Sequence, residues 1–347
     1  MRTRLPDPRR AIVALSAIVV IVTAANACGG ASPTAAPTAS PIASPTASPA
    51  VPAPETPAPT STVGLSAATL SPAVTVSPSA AATPIVPDLA HVYVIILENK
   101  EYNRIVGSAA APYMNSLIAR YGLATDMFAE THPSEPNYIA LTSGGLQGTK
   151  SDGAYNLNVP NLFDQVEASG RTWHVYAQGY PGNCYKSSQA SPVVDGPGAA
   201  GDYVRKHNPA ISYTSISGDA TACANITHLA GFDPAAANFE LIVPNEINDM
   251  HSSSVAAGDA FLKAFVPEIV DSPAFANSVL FITFDEGDTD VRGGGHIATI
   301  VAGPGMTPGT KFTAPASHYS ILRTIELAWG LPFLGEAASA GTIDVGY

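Results

Sequence analysis

Positive charge is scarce in this chain: 16 Lys and Arg stand against 28 Asp and Glu over 347 residues, a formal net charge of −12. Four of the 16 are Arg2, Arg4, Arg9 and Arg10, and no Lys or Arg follows until Lys100. So acidic a surface does not attract nucleic-acid backbones or anionic membranes, and neither is expected as a partner. Cysteine is scarcer still: Cys28, Cys184 and Cys223 leave one possible pair once Cys28 is set aside. From Ala31 to Val86 the only charged residue is Glu55. Prolines recur there too often for helix or sheet, so that stretch carries no chemistry. No apolar helix suited to docking on lipid stands out.

What is present falls into three zones. Residues 1–28 read as an export signal: the arginines, the apolar run "AIVALSAIVVIVTAA", then small residues ahead of a cut site. The sequence Ala27-Cys28-Gly29-Gly30 resembles a bacterial lipobox, which implies that Cys28 is lipidated and becomes the mature N-terminus. A membrane-spanning anchor and plain secretion are the alternatives, and all three place the remainder outside the cytoplasm. Residues 29–87 form a Pro/Ala/Ser/Thr linker, partly polyproline-like, that holds a domain away from a surface. Residues 88–347, roughly 260 in number, suffice for one large core-bearing domain, expected to be a monomer. All eight histidines lie in it, and Cys184 and Cys223 are expected to form a disulfide.

The domain opens with "HVYVIIL", apolar without alternation, the pattern of a strand buried on both faces of a mostly parallel sheet. Similar runs recur at Thr172–Ala177, Phe239–Pro244, Val279–Glu286 and His296–Pro304. Helical segments alternate with them. "PYMNSLIARYG" is predicted to end in a glycine cap at Gly122, "PNLFDQVEASG" at Gly170, and Ser254 to Val270 places Phe261, Leu262, Phe265, Val266 and Ile269 on one face. The alternation predicts an α/β domain with helices on both faces of the sheet. Gln178 to Ala230, rich in Gly, Ser and Pro, reads as a loop-rich insertion closed by the disulfide, and Gly287 to Gly295 as a flexible turn between strands.

In open α/β sheets, ligands bind beyond the carboxyl ends of the strands. The residues after each apolar run are Glu98 and Asn99, then Asn245, Asn248, Asp249 and His251, then Asp285 and Glu286 with Asp288 and Asp290 behind them. The stretch "THPSEPNYIALTSG" adds His132 and Ser134, and His318 begins the last helix. Carboxylates with an asparagine and a serine oxygen make an oxygen-rich site for one divalent cation, and histidines beside it supply acids or phosphate donors. Each group also has a plainer reading. Glu98 and Asn99 end a strand and cap a helix; Asp285 and Glu286 form a solvated turn. Asp249, with Ser252 and Ser253, starts the next helix. His318 caps its helix, although Ser317 is the better cap; His296 lines the site or merely begins a strand. His91, His174, His207 and His228 read as structural or surface residues.

Five motifs in this order, "VIILEN", "ETHPSEPNYIALTSG", "IVPNEINDMH", "ITFDEGD" and "SHYSILRTIELAWGLP", resemble the bacterial phosphoesterase family of acid phosphatases and phospholipases C. That family belongs to the alkaline-phosphatase-like superfamily, and the likeness is greatest to its secreted acid-phosphatase members. The resemblance implies Glu98, Asn99, Ser134, Asp285 and Glu286 around one metal ion, with Glu286 where the family usually has Asp. Ser134, two residues before Pro136 and three before Asn137, takes the nucleophile's place. His132, His251 and His318, with Asp249, are the candidates for acid and phosphate-binding roles, and Asn137, His132 and His251 for substrate contacts. A helix opening at Glu135 offers a dipole and free N–H groups to a phosphate, with Pro136 in its first turn.

The expected function is an extracytoplasmic phosphomonoesterase of acid-phosphatase type that forms a phosphoserine. Its substrate is a small-molecule or phospholipid-derived phosphate ester, and its only membrane contact a lipid anchor. The alternatives are a phospholipase C acting on diesters and, in another class, a non-catalytic lipoprotein binding module.

Overall fold

The computed structural model describes residues 86–346; the expected export signal, the candidate lipidation site Cys28 and nearly all of the expected linker lie outside the described residues. Eight strands form one sheet: β1 (His91–Leu97), β2 (Gly122–Ala124), β3 (Trp173–Ala177), β4 (Ile226–Thr227), β5 (Phe239–Val243), β6 (Ser278–Phe284), β7 (Thr299–Ala302) and β8 (Thr310–Phe312). Their order is β4-β3-β5-β1-β6-β7-β2-β8. Every pairing is parallel except the two made by β7. Six of the seven residues of β1 and all of β5 and β6 are buried, as expected of strands covered on both faces.

Around the sheet lie α1 (Tyr102–Ile105), α2 (Pro112–Arg120), α3 (Ser134–Ser143), α4 (Leu162–Ala168), α5 (Thr214–Ser217), α6 (Ala220–Cys223), α7 (Val255–Val270) and α8 (His318–Trp329). All ten residues of α3 are buried, so it is a core helix without an amphipathic pattern. Among the described residues no helix is long and apolar enough to cross a membrane.

Two local expectations need correction. Gly122 does not cap α2; it begins β2, because Gly122, Leu123 and Ala124 pair with both β7 and β8. Asp249 does not start α7 either, since the cap is Ser254, whose hydroxyl accepts the Ala257 N–H. Gly258 inside α7 has a packing reason: a Cβ there would stand 2.4 Å from Met250 Cγ. Met250 is itself held at φ 82°, between Asp249 and His251.

The insertion is closed by the Cys184–Cys223 disulfide, as expected. It also adds β4 to the edge of the sheet beside β3 and carries a 3₁₀ turn at Arg205–His207 back toward the centre. Because β7 runs antiparallel to β6, the Gly287–Gly295 turn returns over the edge where β1, β5 and β6 end.

Candidate active site

The strand ends converge on the first turn of α3. Ser134 is the first helical residue rather than the cap; Pro133 precedes it, and no side chain caps the helix. The Ser134 hydroxyl donates instead to Glu98 Oε2 at 3.0 Å. One turn later Tyr138 stands on the same helical face and donates its hydroxyl to Glu98 Oε1. Both oxygens of a wholly buried carboxylate are thus satisfied from α3. Burial nevertheless lifts the Glu98 carboxyl to about 7, against the lowering effect of Tyr138.

Asp285, at the end of β6, accepts the Asn99 N–H through Oδ1 at 3.0 Å. Asn99 holds φ 42°, a left-handed conformation that asparagine adopts more readily than most residues. Its Nδ2 donates to Glu286 Oε1 at 2.6 Å. Burial raises Asp285 to about 8 and Glu286 to about 7, with the charges of Glu98 and Asp285 respectively adding to the effect. So many buried carboxyls call for protons or a cation.

Two buried oxygens here, Asn99 Oδ1 and Asp285 Oδ2, have no hydrogen-bond partner. Next to Glu98 and Ser134, that is what a cation bound through mixed oxygen donors would take up. Among the described residues no group of three or more His, Cys, Asp or Glu side chains is arranged to hold a metal ion. The residues therefore fit a cation held partly by amide and hydroxyl oxygens rather than by a carboxylate and imidazole cage.

Glu286, like Glu98, meets protein groups at both carboxylate oxygens, each of which keeps a further lone pair. Its Oε1 accepts from Asn99, while Oε2 lies 2.9 Å from His132 Nδ1 and 3.5 Å from Asn137 Nδ2. Asn137, expected to touch substrate, is occupied as well. Its Oδ1 accepts the N–H groups of Glu130 and Thr131 at 3.1 Å each, and its Nδ2 donates to the Thr131 carbonyl at 2.8 Å. A buried amide must satisfy itself, and this one pins the loop that leads into Ser134. The free helix N–H groups are also fewer than expected: Glu135 N–H donates to Asp152 Oδ1 at 3.0 Å, and Pro136 has none.

The histidines divide. His132 and His251 are half-buried at the rim, at 31% and 35% side-chain exposure. At His132 burial lowers the imidazole, but the Thr289 carbonyl and Glu286 outweigh it and the net shift is upward. At His251 the Glu246 carboxylate, 2.8 Å away, drives the rise. His318 is buried, with Nδ1 on Glu130 and Nε2 on the Phe284 carbonyl at 2.9 Å, so both nitrogens are engaged away from substrate. The cap of its helix is Ser317, as expected. His296 does not line the site: it stacks between Tyr102 and Phe128, and its Nε2 meets the Thr125 carbonyl at 3.1 Å.

The residue that sequence reading missed is His207. Fully buried, it lies 3.0 Å from Glu98 Oε2 and 3.3 Å from Asp249 Oδ2, although neither ring nitrogen has hydrogen-bond geometry toward them. Its ring stacks on Tyr138 with centroids 5.4 Å apart. Burial raises Asp249 to about 7, and Asp249 itself joins two chain segments: its carbonyl accepts Glu98 N–H, and its Oδ1 accepts His251 N–H. The neighbours of His207 act at the same place. Arg205 binds Glu135 Oε1 at 2.8 Å and the carbonyls of Gly153 and Tyr155, and Lys206 reaches Asp152 at 3.3 Å. Arg205-Lys206-His207, a run of three basic residue types in an acidic chain, was the signal available.

Comparison with known proteins places this geometry. The fold is shared with lipoteichoic acid synthase LtaP from Listeria monocytogenes, at TM-score 0.52 and 10% identity over 75% of this chain and 76% of that one. A protein in the alkaline phosphatase superfamily from Vibrio parahaemolyticus matches at TM-score 0.47 and 12% identity, over 74% and 71%. The model of the phosphoesterase family matches residues 108–332, and the chain belongs to that family. It is 34% identical over 259 residues to the phosphatidylinositol-3-phosphatase of Mycobacterium tuberculosis, covering 74% of this chain and 82% of the relative. It is 30% identical over 250 residues to an acid phosphatase of Aspergillus fumigatus, covering 69% of this chain and just over half, 55%, of that longer relative. Family and relatives together support a hydrolase of phosphoric esters.

Proposed function

We propose that the chain is an extracytoplasmic phosphomonoesterase of acid-phosphatase type, dependent on one divalent metal ion and working through a phosphoserine at Ser134. The observation that carries this is the Ser134 hydroxyl on Glu98 Oε2 at the start of α3, beside the two partnerless oxygens of Asn99 and Asp285. Both named relatives are phosphatases, which supports the monoester reading. The export signal and the disulfide support a place outside the cytoplasm.

In this reading Asn99 and Asp285, with Glu98 and Ser134, would hold the metal, which when bound would offset charge on the phosphoryl oxygens and lower the pKa of the serine hydroxyl. Ser134 Oγ passes its proton to Glu98 Oε2 and forms the bond to phosphorus as the bond to the leaving oxygen breaks. His132 and His251, held charged more readily by Glu286 and Glu246, are the acids within reach of the leaving alcohol. Water then attacks the phosphoserine, which returns Ser134 and releases phosphate. Glu286 and Asn137 position these groups without touching substrate.

The test is phosphate release from p-nitrophenyl phosphate at acid and neutral pH, with and without chelator, beside bis(p-nitrophenyl) phosphate. The expected result is hydrolysis of the monoester, lost with chelator and in Ser134→Ala. Faster cleavage of the diester would replace this reading with a phosphodiesterase, and hydrolysis of neither with a binding module.

A further inference from the structure

Beside the site lies a cavity of about 390 Å³, walled by Asp152, Gly153, Lys186, Ser187, Ser188 and Lys206 among others. Lys186, Ser187 and Ser188 come from the disulfide-closed insertion and Lys206 from its 3₁₀ turn. The cavity starts next to the nucleophile, because Asp152 accepts the N–H of Glu135, the residue after Ser134. Lys206 closes the other side: its Nζ stands 3.4 Å from His251 Nε2, and the charge of Glu98 acts on it. A phosphate ester bound for attack by Ser134 therefore lies beside a space that contains two ammonium groups.

We propose that Lys206 and Lys186 determine substrate choice, and that the preferred phosphate ester has a leaving alcohol bearing a second negative charge. The inference rests on the phosphomonoesterase reading and deepens it. Three of the 12 Lys and Arg that follow residue 87, namely Lys186, Arg205 and Lys206, line this cavity, a local reversal of an acidic surface; Arg205 is already paired with Glu135. Glu98, Asp152 and Glu246 offset part of the charge of Lys206. Lys186 is exposed and has no partner among the described residues, so its charge remains available to a ligand. Lys206, with 19% side-chain exposure, is the better desolvated of the two, which strengthens any ion pair it makes.

The test compares kcat/KM for phenyl phosphate, 4-carboxyphenyl phosphate and 4-phosphonophenyl phosphate in the full chain, Lys206→Met, Lys186→Met and the double variant. Wild type is expected to prefer the anionic esters. The double variant should lower the anionic-to-neutral ratio about tenfold, equivalent to about 1.4 kcal/mol, mostly through KM, and Lys206→Arg should restore most of it. A larger loss on the phosphono ester identifies a phosphate-like second charge; equal losses identify a carboxylate as sufficient. A ratio unchanged within about twofold in every variant overturns the inference even if overall activity falls. Lys186→Met, on an exposed side chain, keeps the test available if Lys206→Met fails to fold. A wild type that hydrolyses none of the three esters removes the phosphomonoesterase reading and this inference with it.

Discussion

Replacing His207 by Phe isolates what the imidazole does between two buried acids. The phenyl ring keeps the stacking on Tyr138 and most of the volume, but removes both nitrogens from Glu98 and Asp249. Leaving a buried carboxylate without a polar neighbour costs about 1–3 kcal/mol. Both acids are ionised at pH 8, so the upper end, about 3 kcal/mol, applies there. Burial lifts Glu98 and Asp249 to about 7 each, so at pH 5 both carry protons and need no partner. The loss should then shrink to about 1 kcal/mol, that of a changed contact. Urea denaturation of wild type and His207→Phe at pH 5 and pH 8, both in chelator, measures this. A midpoint shift near 1 M is expected at pH 8, and adding Glu98→Gln should recover part of it. An equal loss at both pH values, or a loss below about 0.5 kcal/mol at pH 8, would refute the electrostatic role given to His207.

Glu240, buried in β5, has a carboxyl lifted to about 8 by burial, against the Ala237 N–H and aided by the charge of Asp233. The folded chain thus holds a proton that the unfolded chain has released. Stability falls as pH rises from about 4.5 to about 8. Glu240→Gln should flatten that fall by on the order of 2 kcal/mol in melting curves across this window, and an unchanged slope would reject it. Gly258→Ala, which helix propensity alone would favour by about 1 kcal/mol, should instead destabilise by about 1–3 kcal/mol because its Cβ drives into Met250; thermal melting gives the sign.

The strands that form the floor of the site were legible because β1, β5 and β6 are buried on both faces and read as unbroken apolar runs. β2 and β8 were not: three residues each carry no periodicity, and their pairing with each other and with β7 is a tertiary fact. That pairing is also why Gly122 looked like a helix cap. Ser134, Glu98 and Asp285 were legible from the strand ends and the Ser-x-Pro-Asn spacing, and the structure joins them around α3. Asn137 and Glu286 stand at the site, and only the folded loop shows which protein groups their polar atoms also meet. Only the basic run Arg205-Lys206-His207 hinted at His207, because it reaches Glu98 across more than a hundred residues, from an insertion whose path back to the sheet no local pattern encodes.

The account turns on covalent attack by Ser134. Brief mixing of the metal-loaded enzyme with p-nitrophenyl phosphate at acid pH, followed by an acid quench and peptide mass spectrometry, tests it most directly. The account predicts phosphate on Ser134, in the peptide around "HPSEPNY", and none in Ser134→Ala. Full turnover by Ser134→Ala, or phosphate trapped on a histidine instead, would contradict it.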